Sequence, residues 1–208
     1  LAQDQLRLRE HLSRRGHDSR RFFAGAADRW DAMRAELYGE LFPSAAISAL
    51  LPSDWIVADL GCGTGHVAEE LARRVRHVIG VDHSGEMLEA ARRRLSEAGN
   101  VELREGDLEE LPIEDSSCDA ALMLLALTYV ADPARALTEM LRIVRPEGRV
   151  ALIDLLAHGR EDFRLSMGQK HLGFAAEQLA GLLEQAGACN VETHFLSPEP
   201  RAKGPALI

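Results

Sequence analysis

Two clusters of side chains in this sequence have types and spacing suited to chemistry. In Asp59-Leu60-Gly61-Cys62-Gly63-Thr64-Gly65, an acid precedes three alternating glycines. Glycine lets a backbone turn tightly and lets a ligand approach with no Cβ in the way. The second cluster begins at Asp82, which ends the apolar run His77-Val78-Ile79-Gly80-Val81. A carboxylate at the tip of a second strand can accept hydrogen bonds from both hydroxyls of a ribose. Together the clusters describe a nucleoside-binding site.

The glycine spacing sharpens this reading. A pyrophosphate site usually carries G-x-G-x-x-G at a helix N-terminus. Here the spacing is G-x-G-x-G, and the carboxylate of Asp59 stands where a pyrophosphate would be repelled. A ligand with an ammonium group is favoured there instead. S-adenosylmethionine carries an adenosine, a sulfonium and an amino-acid end, and no phosphate. On these residues the chain resembles the class I S-adenosylmethionine-dependent methyltransferases, whose first motif is D-x-G-x-G-x-G. The resemblance implies cofactor binding by Asp59, Gly61, Cys62, Gly63 and Gly65, with S-adenosylhomocysteine as the product. Cys62 reads as a small residue in a tight turn, not as a nucleophile.

Three further segments extend the resemblance. In Val81-Asp82-His83-Ser84-Gly85-Glu86-Met87 it implies that Asp82 binds the ribose and that His83 and Met87 line the adenine. In Gly106-Asp107-Leu108 it implies that Asp107 accepts from the adenine amino group, with the Leu108 backbone nearby. A solvated turn acid is the alternative for Asp107. At the end of the run Cys118 to Leu125 it implies that Met123 and Leu124 pass the methionine portion.

These residues need strand tips and helix starts to hold them. Trp55-Ile56-Val57-Ala58 reads as a buried strand, and Val67, Ala68, Leu71, Ala72 and Val75 follow at helical spacing. Ser84 suits a helix N-cap, with Leu88, Ala91 and Leu95 giving an apolar face. Val101 to Arg104 is a third strand and Cys118 to Leu125 a fourth. Asp132-Pro133 opens a helix that Pro146-Glu147-Gly148 ends, and Arg149 to Ile153 is a fifth strand. A helix over Ala175 to Ala186 stops at Gly187. Val191 to Leu196 reads as a sixth strand, and Ala206-Leu207-Ile208 begins another, which the family makes antiparallel. Such alternation predicts an α/β fold, a doubly wound, Rossmann-like and mostly parallel sheet.

Composition bounds the rest. The 208 residues are 46% apolar and 27% charged, with net charge −9, which suits one compact domain. No apolar run approaches the roughly 20 residues of a membrane span. Three scattered cysteines argue for a reducing, cytoplasmic setting, and no metal-ligand spacing is present. An acidic domain is repelled by phosphates, so direct nucleic-acid binding by this domain is not expected. Residues 1–40 are expected to be a helical linker and cofactor cap, and 41–208 the cofactor-binding domain. Arg7, Arg9, Arg14, Arg15, Arg20 and Arg21 give the first part a basic stretch. The runs Arg21-Phe22-Phe23, Trp30 to Arg34 and Leu37-Tyr38-Gly39 resemble the opening of methyltransferase domains fused behind ArsR-type winged-helix repressors. So do Leu172-Gly173-Phe174 and Pro200 to Leu207. This closer resemblance implies a missing upstream DNA-binding domain and an aromatic cap over the methionine end, Tyr38 first and Trp30 second; a homodimer is a further expectation.

Methyl transfer is an in-line displacement in which the protein chiefly positions the acceptor and excludes water. A general base is needed only where the acceptor must lose a proton. Many small-molecule relatives show His-His where this chain has Thr128-Tyr129. Asp154, His158, His171 and Tyr129 are left as candidate catalytic groups, and Gly159 to Lys170 as a candidate lid. Two functions stay open: a methyltransferase acting on a small molecule, and a regulator domain that senses S-adenosylmethionine or S-adenosylhomocysteine. A nicotinamide dehydrogenase sharing Gly61 and Asp82 is a third reading, against which Gly65 and Asp107 count.

Overall fold

The computed structural model describes residues 33, 34, 36, 37, 42–196 and 202–208. Tyr38, Trp30 and the arginine-rich stretch lie outside the described residues. Internal contacts divide the chain between Ile47 and Ser48. Among the described residues the earlier part contributes helix α1, Phe42–Ser48. The unit Ser48–Ile208 holds the sheet and is treated from here on.

Five strands form one sheet in the order β3-β2-β1-β4-β5, with every pair parallel. They are β1 Ile56–Leu60, β2 His77–Asp82, β3 Val101–Glu105, β4 Cys118–Leu124 and β5 Val144–Ile153. The central strands are buried on both faces, which explains their unbroken apolar runs. Alternate residues serve opposite layers. Ala58, Leu60, Ile79, Val81, Ala121 and Met123 pack with α4 (Pro133–Ile143) and α6 (Ala176–Gln185). Val57, Val78 and Ala120 face the other way, onto α2 (His66–Ala72) and α3 (Gly85–Arg94). The doubly wound expectation is met. Because β1 sends the chain to β2 on one side and borders β4 on the other, the order reverses at the β1–β4 boundary. In open sheets of this kind a ligand crevice forms outside the carboxyl ends of the strands at that boundary.

The caps follow the sequence. Ser84 accepts the Met87 N–H at the start of α3, and Asp132 accepts the Arg135 N–H at the start of α4, with Pro133 in its first turn. Two boundaries differ from expectation. Helix α4 ends at Ile143, because Val144 pairs with Cys118 and already belongs to β5. The Pro146-Glu147-Gly148 turn is an irregularity inside the strand, with Glu147 at φ +67°. Val191 to Leu196 forms no strand: these residues are largely exposed, and only Leu196 makes a bridge, to Leu207. Residues 206–208 instead run antiparallel against 154–156. The Asp154 N–H donates to the Ile208 carbonyl at 2.9 Å and the Ile208 N–H to the Asp154 carbonyl at 3.0 Å.

Arg142 on α4 secures the long connection between β3 and β4. Its guanidinium donates to the Ile113 carbonyl at 2.8 Å and the Leu111 carbonyl at 3.1 Å, while Glu139 accepts the Leu111 N–H at 2.8 Å. This connection also carries Asp107 and Leu108. No helix among the described residues is long and apolar enough to cross a membrane. Arg142→Ala strands two carbonyls and should lower the unfolding free energy by about 1–3 kcal/mol, read as a lower urea midpoint with an unchanged slope.

Candidate active site

The glycine loop leaves β1 at Leu60 and enters α2 at His66. Gly61, Gly63 and Gly65 all have positive φ, +73°, +52° and +76°. L side chains rarely adopt that conformation. The three do different work. A Cβ on Gly61 would fall 2.6 Å from the Ala126 Cβ, and one on Gly65 would fall 2.9 Å from Leu95 Cδ1. Those two glycines allow close packing. Gly63 has no atom within 4 Å of its Cβ position, so its bare backbone faces open space.

Asp82 fixes that loop from the neighbouring strand. One carboxylate oxygen accepts the Gly63 N–H at 2.8 Å and the other the Ser84 N–H at 2.9 Å. Asp82 is nearly buried, and His83 beside it keeps a side chain 80% exposed, with Nδ1 3.7 Å from the carboxylate. Met87, in the first turn of α3, is 46% exposed. It is therefore not core filling, and with His83 it offers an uncovered surface beside Gly63 and Asp82. Asp107 is exposed, and its Oδ1 accepts the Glu109 N–H at 2.9 Å. Leu108 is buried and its Cδ1 lies 3.8 Å from the Cβ position of Gly61.

Asp59 sits beneath the loop, 2% exposed, and its Oδ2 has no hydrogen-bond partner. Burial raises its pKa from 3.8 to about 6, the Ala68 N–H in the first turn of α2 opposes that, and the Asp82 charge adds to it. A buried carboxylate oxygen without a donor calls for a cationic or N–H-bearing ligand group. Cys62 is buried against the same two carboxylates, and its thiol is pushed up to about 12, first by desolvation. It remains a neutral, inert filler. Among the described residues no cluster of His, Cys, Asp and Glu is arranged to hold a metal.

On the β4–β5 side two expectations fail. Met123 is fully buried, so its side chain fills the core rather than touching a ligand. Leu124 is half-buried, and Leu125, which sequence reasoning overlooked, is exposed at φ +55°. Its conformation, unusual for a branched side chain, leaves no signature in a hydrophobic pattern. Asp154 is not an accessible base. It is fully buried and accepts the N–H groups of Leu127 (2.8 Å), Thr128 (3.3 Å) and Leu155 (2.7 Å). Burial still raises its pKa. The carboxylate thus ties the 3-10 turn Leu127–Tyr129 to the end of β5. Tyr129, on that turn, is half-buried. His171 Nε2 lies 2.9 Å from the Val130 carbonyl. A carbonyl only accepts, so Nε2 carries the proton and a neutral ring keeps its lone pair on Nδ1. His158 accepts the Arg160 N–H at Nδ1, 3.1 Å away, and burial followed by the Arg160 charge lowers its pKa.

Comparison with known proteins adds to this geometry. Residues 58–152 match the family described as a methyltransferase domain. The loop, the open Gly63 and the unpaired Asp59 oxygen suit S-adenosylmethionine as the cofactor. An uncharacterised methyltransferase of Mycobacterium bovis is 42% identical over 113 residues, 54% of this chain and 45% of its own length. The 2-phytyl-1,4-naphthoquinone methyltransferase of Trichormus variabilis is 37% identical over 112 residues, 51% of this chain and 49% of its own. The chain thus spans about half the length of these curated relatives. A putative methyltransferase from Bacillus halodurans shares the fold, with TM-score 0.64 at 24% identity over 74% of this chain and 71% of that one.

Two tests address this site directly. The folded pKa of Asp59 lies above its unfolded value, so the folded state holds the proton between about pH 4 and 6 and loses stability as pH rises through that window. Asp59→Asn should abolish that slope and stabilise the unliganded protein at pH 7 by on the order of 2 kcal/mol, while weakening S-adenosylhomocysteine binding in calorimetry. Gly63→Ala, strained only by its φ of +52°, should cost about 1 kcal/mol of stability. It should nevertheless reduce cofactor affinity at least tenfold, because its methyl group enters the open space.

Proposed function

We propose that this chain transfers a methyl group from S-adenosylmethionine to a small hydroxylated aromatic acceptor. The observation that carries this reading is the unpaired Oδ2 of buried Asp59 under the open backbone of Gly63. Asp59 would receive the ammonium end, and Asp82, already fixed by two N–H groups, has further lone pairs for the ribose hydroxyls. His83 and Met87 would flank the adenine, with Asp107 and the Leu108 backbone at its edge. When bound, the cofactor supplies an electrophilic methyl group and its own leaving group.

The chain's task is then to place the acceptor and, where needed, remove its proton. His171 suits that step best of the four candidates: its Nε2–H is held by Val130, which fixes the ring and leaves Nδ1 basic. Tyr129 can orient an oxygen of the acceptor from the neighbouring turn. Asp154 acts one step back, by holding that turn in place. The acceptor class draws support from the naphthoquinone methyltransferase among the relatives.

A second reading has its own support in Asp154, whose carboxylate is spent on main-chain N–H groups and so leaves fewer bases at the crevice. There the domain binds the same cofactor or S-adenosylhomocysteine as an effector, within a regulator that carries an ArsR-type DNA-binding domain.

Calorimetric titration with S-adenosylhomocysteine and with NAD, followed by labelled-methyl transfer onto a panel of hydroxylated aromatics, tests both readings. Binding of the homocysteine derivative together with label on an acceptor is the expected result. Binding without transfer to any acceptor favours the sensor, and binding of NAD alone refutes both.

A further inference from the structure

Leu125 combines two unfavourable features at one position. Its backbone is left-handed, at φ +55°, and its side chain is 47% exposed. A Cβ crowds that conformation, which glycine or asparagine adopts at lower cost. The other non-glycine residues with positive φ among the described residues, Ser116, Glu147 and Asn190, are all polar. Met87 on α3 and Leu165 and Met167 on α5 (Glu161–Met167) are also exposed, but on ordinary helical backbone. Among the described residues, Leu125 is the one large apolar side chain that is both exposed and left-handed.

The residues around it are enclosed and tightly held. Met123 before it and Ala126, Leu127 and Thr128 after it are buried. Strand alternation would carry Leu125 onto the buried face of Met123, and the left-handed turn breaks that alternation. The Leu125 N–H donates to the Ile153 carbonyl at 2.7 Å, and the Asp154 carboxylate accepts the Leu127 and Thr128 N–H groups. Ala126 lies against the glycine loop, its Cβ 2.6 Å from the position a Cβ would take on Gly61. Backbone strain persists only where the surroundings over-determine it in this way, and it gathers where ligands bind.

Those contacts also fix its place. Leu60 pairs with Met123 and Leu124 with Ile153, so Leu125 stands just beyond the carboxyl edge of the sheet, on the strand where the order reverses. The glycine loop lies on one side of it, and the turn Leu127–Tyr129 follows on the other. An exposed leucine there, on a backbone whose cost its own burial does not offset, is suited to be covered by an apolar ligand group. The methionine end of the cofactor is charged at its ammonium, carboxylate and sulfonium, so it is a poor partner for that surface. We propose that Leu125 is a specificity-determining residue that packs against the aromatic ring of the methyl acceptor. The assignment rests on the methyl-transfer reading and adds to it the side chain that selects an apolar acceptor.

The test uses the full chain saturated with S-adenosylhomocysteine, with 1-naphthol and phenol as calorimetric probes. Leu125→Asn keeps the size and suits the left-handed backbone but removes the apolar surface. Leu125→Gly removes both the surface and the strain. Each should lose about tenfold in 1-naphthol affinity, the worth of the apolar area that a half-exposed leucine can still cover. The preference for 1-naphthol over phenol should narrow in both. Their S-adenosylhomocysteine affinity should be unchanged, and their melting temperatures should stay within about 4 °C of the parent's, because relief of strain offsets the lost burial. Leu125→Met, which stays apolar, should keep its 1-naphthol affinity within about threefold. Undiminished 1-naphthol binding by the Asn and Gly variants, an equal loss of S-adenosylhomocysteine affinity, or a Met variant as weak as the Asn variant would overturn the proposal. So would a larger fall in melting temperature, or no 1-naphthol binding by the loaded parent chain. Failure of the parent chain to bind S-adenosylhomocysteine would instead sink the methyl-transfer reading, so the two failures are distinguishable.

Discussion

One carboxylate organises the cofactor side of this molecule. Asp82 ends β2 and accepts one N–H from the glycine loop and another from the start of α3. The bonds join three consecutive pieces of the chain at the point where the sheet reverses its order. They are possible only because β1 and β2 run parallel in register, with Leu60 opposite Val81, so that both strands finish at the same edge. The loop N–H groups of Gly61 and Cys62 also point at the Val81 carbonyl, at 2.8 and 3.0 Å. The tip of β2 is therefore a template on which the loop after β1 is laid.

Asp154 plays a corresponding part on the other half of the sheet, with a different outcome. Asp82 ends β2 and Asp154 directly follows β5, but Asp82 keeps a face toward the crevice and Asp154 has none. The difference lies in the number of main-chain N–H groups that each must satisfy. The 3-10 turn after β4 exposes donors that no neighbouring strand can accept, and Asp154 takes them. One half of the crevice thus has a carboxylate free to meet ligand, and the other has a carboxylate converted into scaffold.

This contrast marks where sequence reading succeeds. The buried runs around Val57 and Val78, the glycine loop, and the Ser84 and Asp132 caps were legible, because apolar period, positive φ and side-chain capping each leave a local mark. The end of α4 was not. Pro146 and Gly148 signal a stop, yet the pairing of Val144 with Cys118, 26 residues earlier in sequence, ends the helix first. Val191 to Leu196 has strand composition but finds no neighbour to pair with beyond Leu196. The resemblance puts Met123 beside the ligand, but the period of two turns it inward. The burial of Asp154 and the conformation of Leu125 depend on hydrogen-bond demand and backbone geometry, which no pattern of residue types displays.

The antiparallel pairing of residues 206–208 with 154–156 bears on the order of events during synthesis. The main chain of Asp154 is clamped from both directions by Ile208, more than fifty residues downstream. Contacts of such long sequence separation form late, because the closure entropy precedes the gain. The β1–β2 half, built from neighbours close in sequence, can condense while the ribosome is still adding the remainder. The half of the crevice built on β1 and β2 is accordingly expected to mature before the half built on β4 and β5.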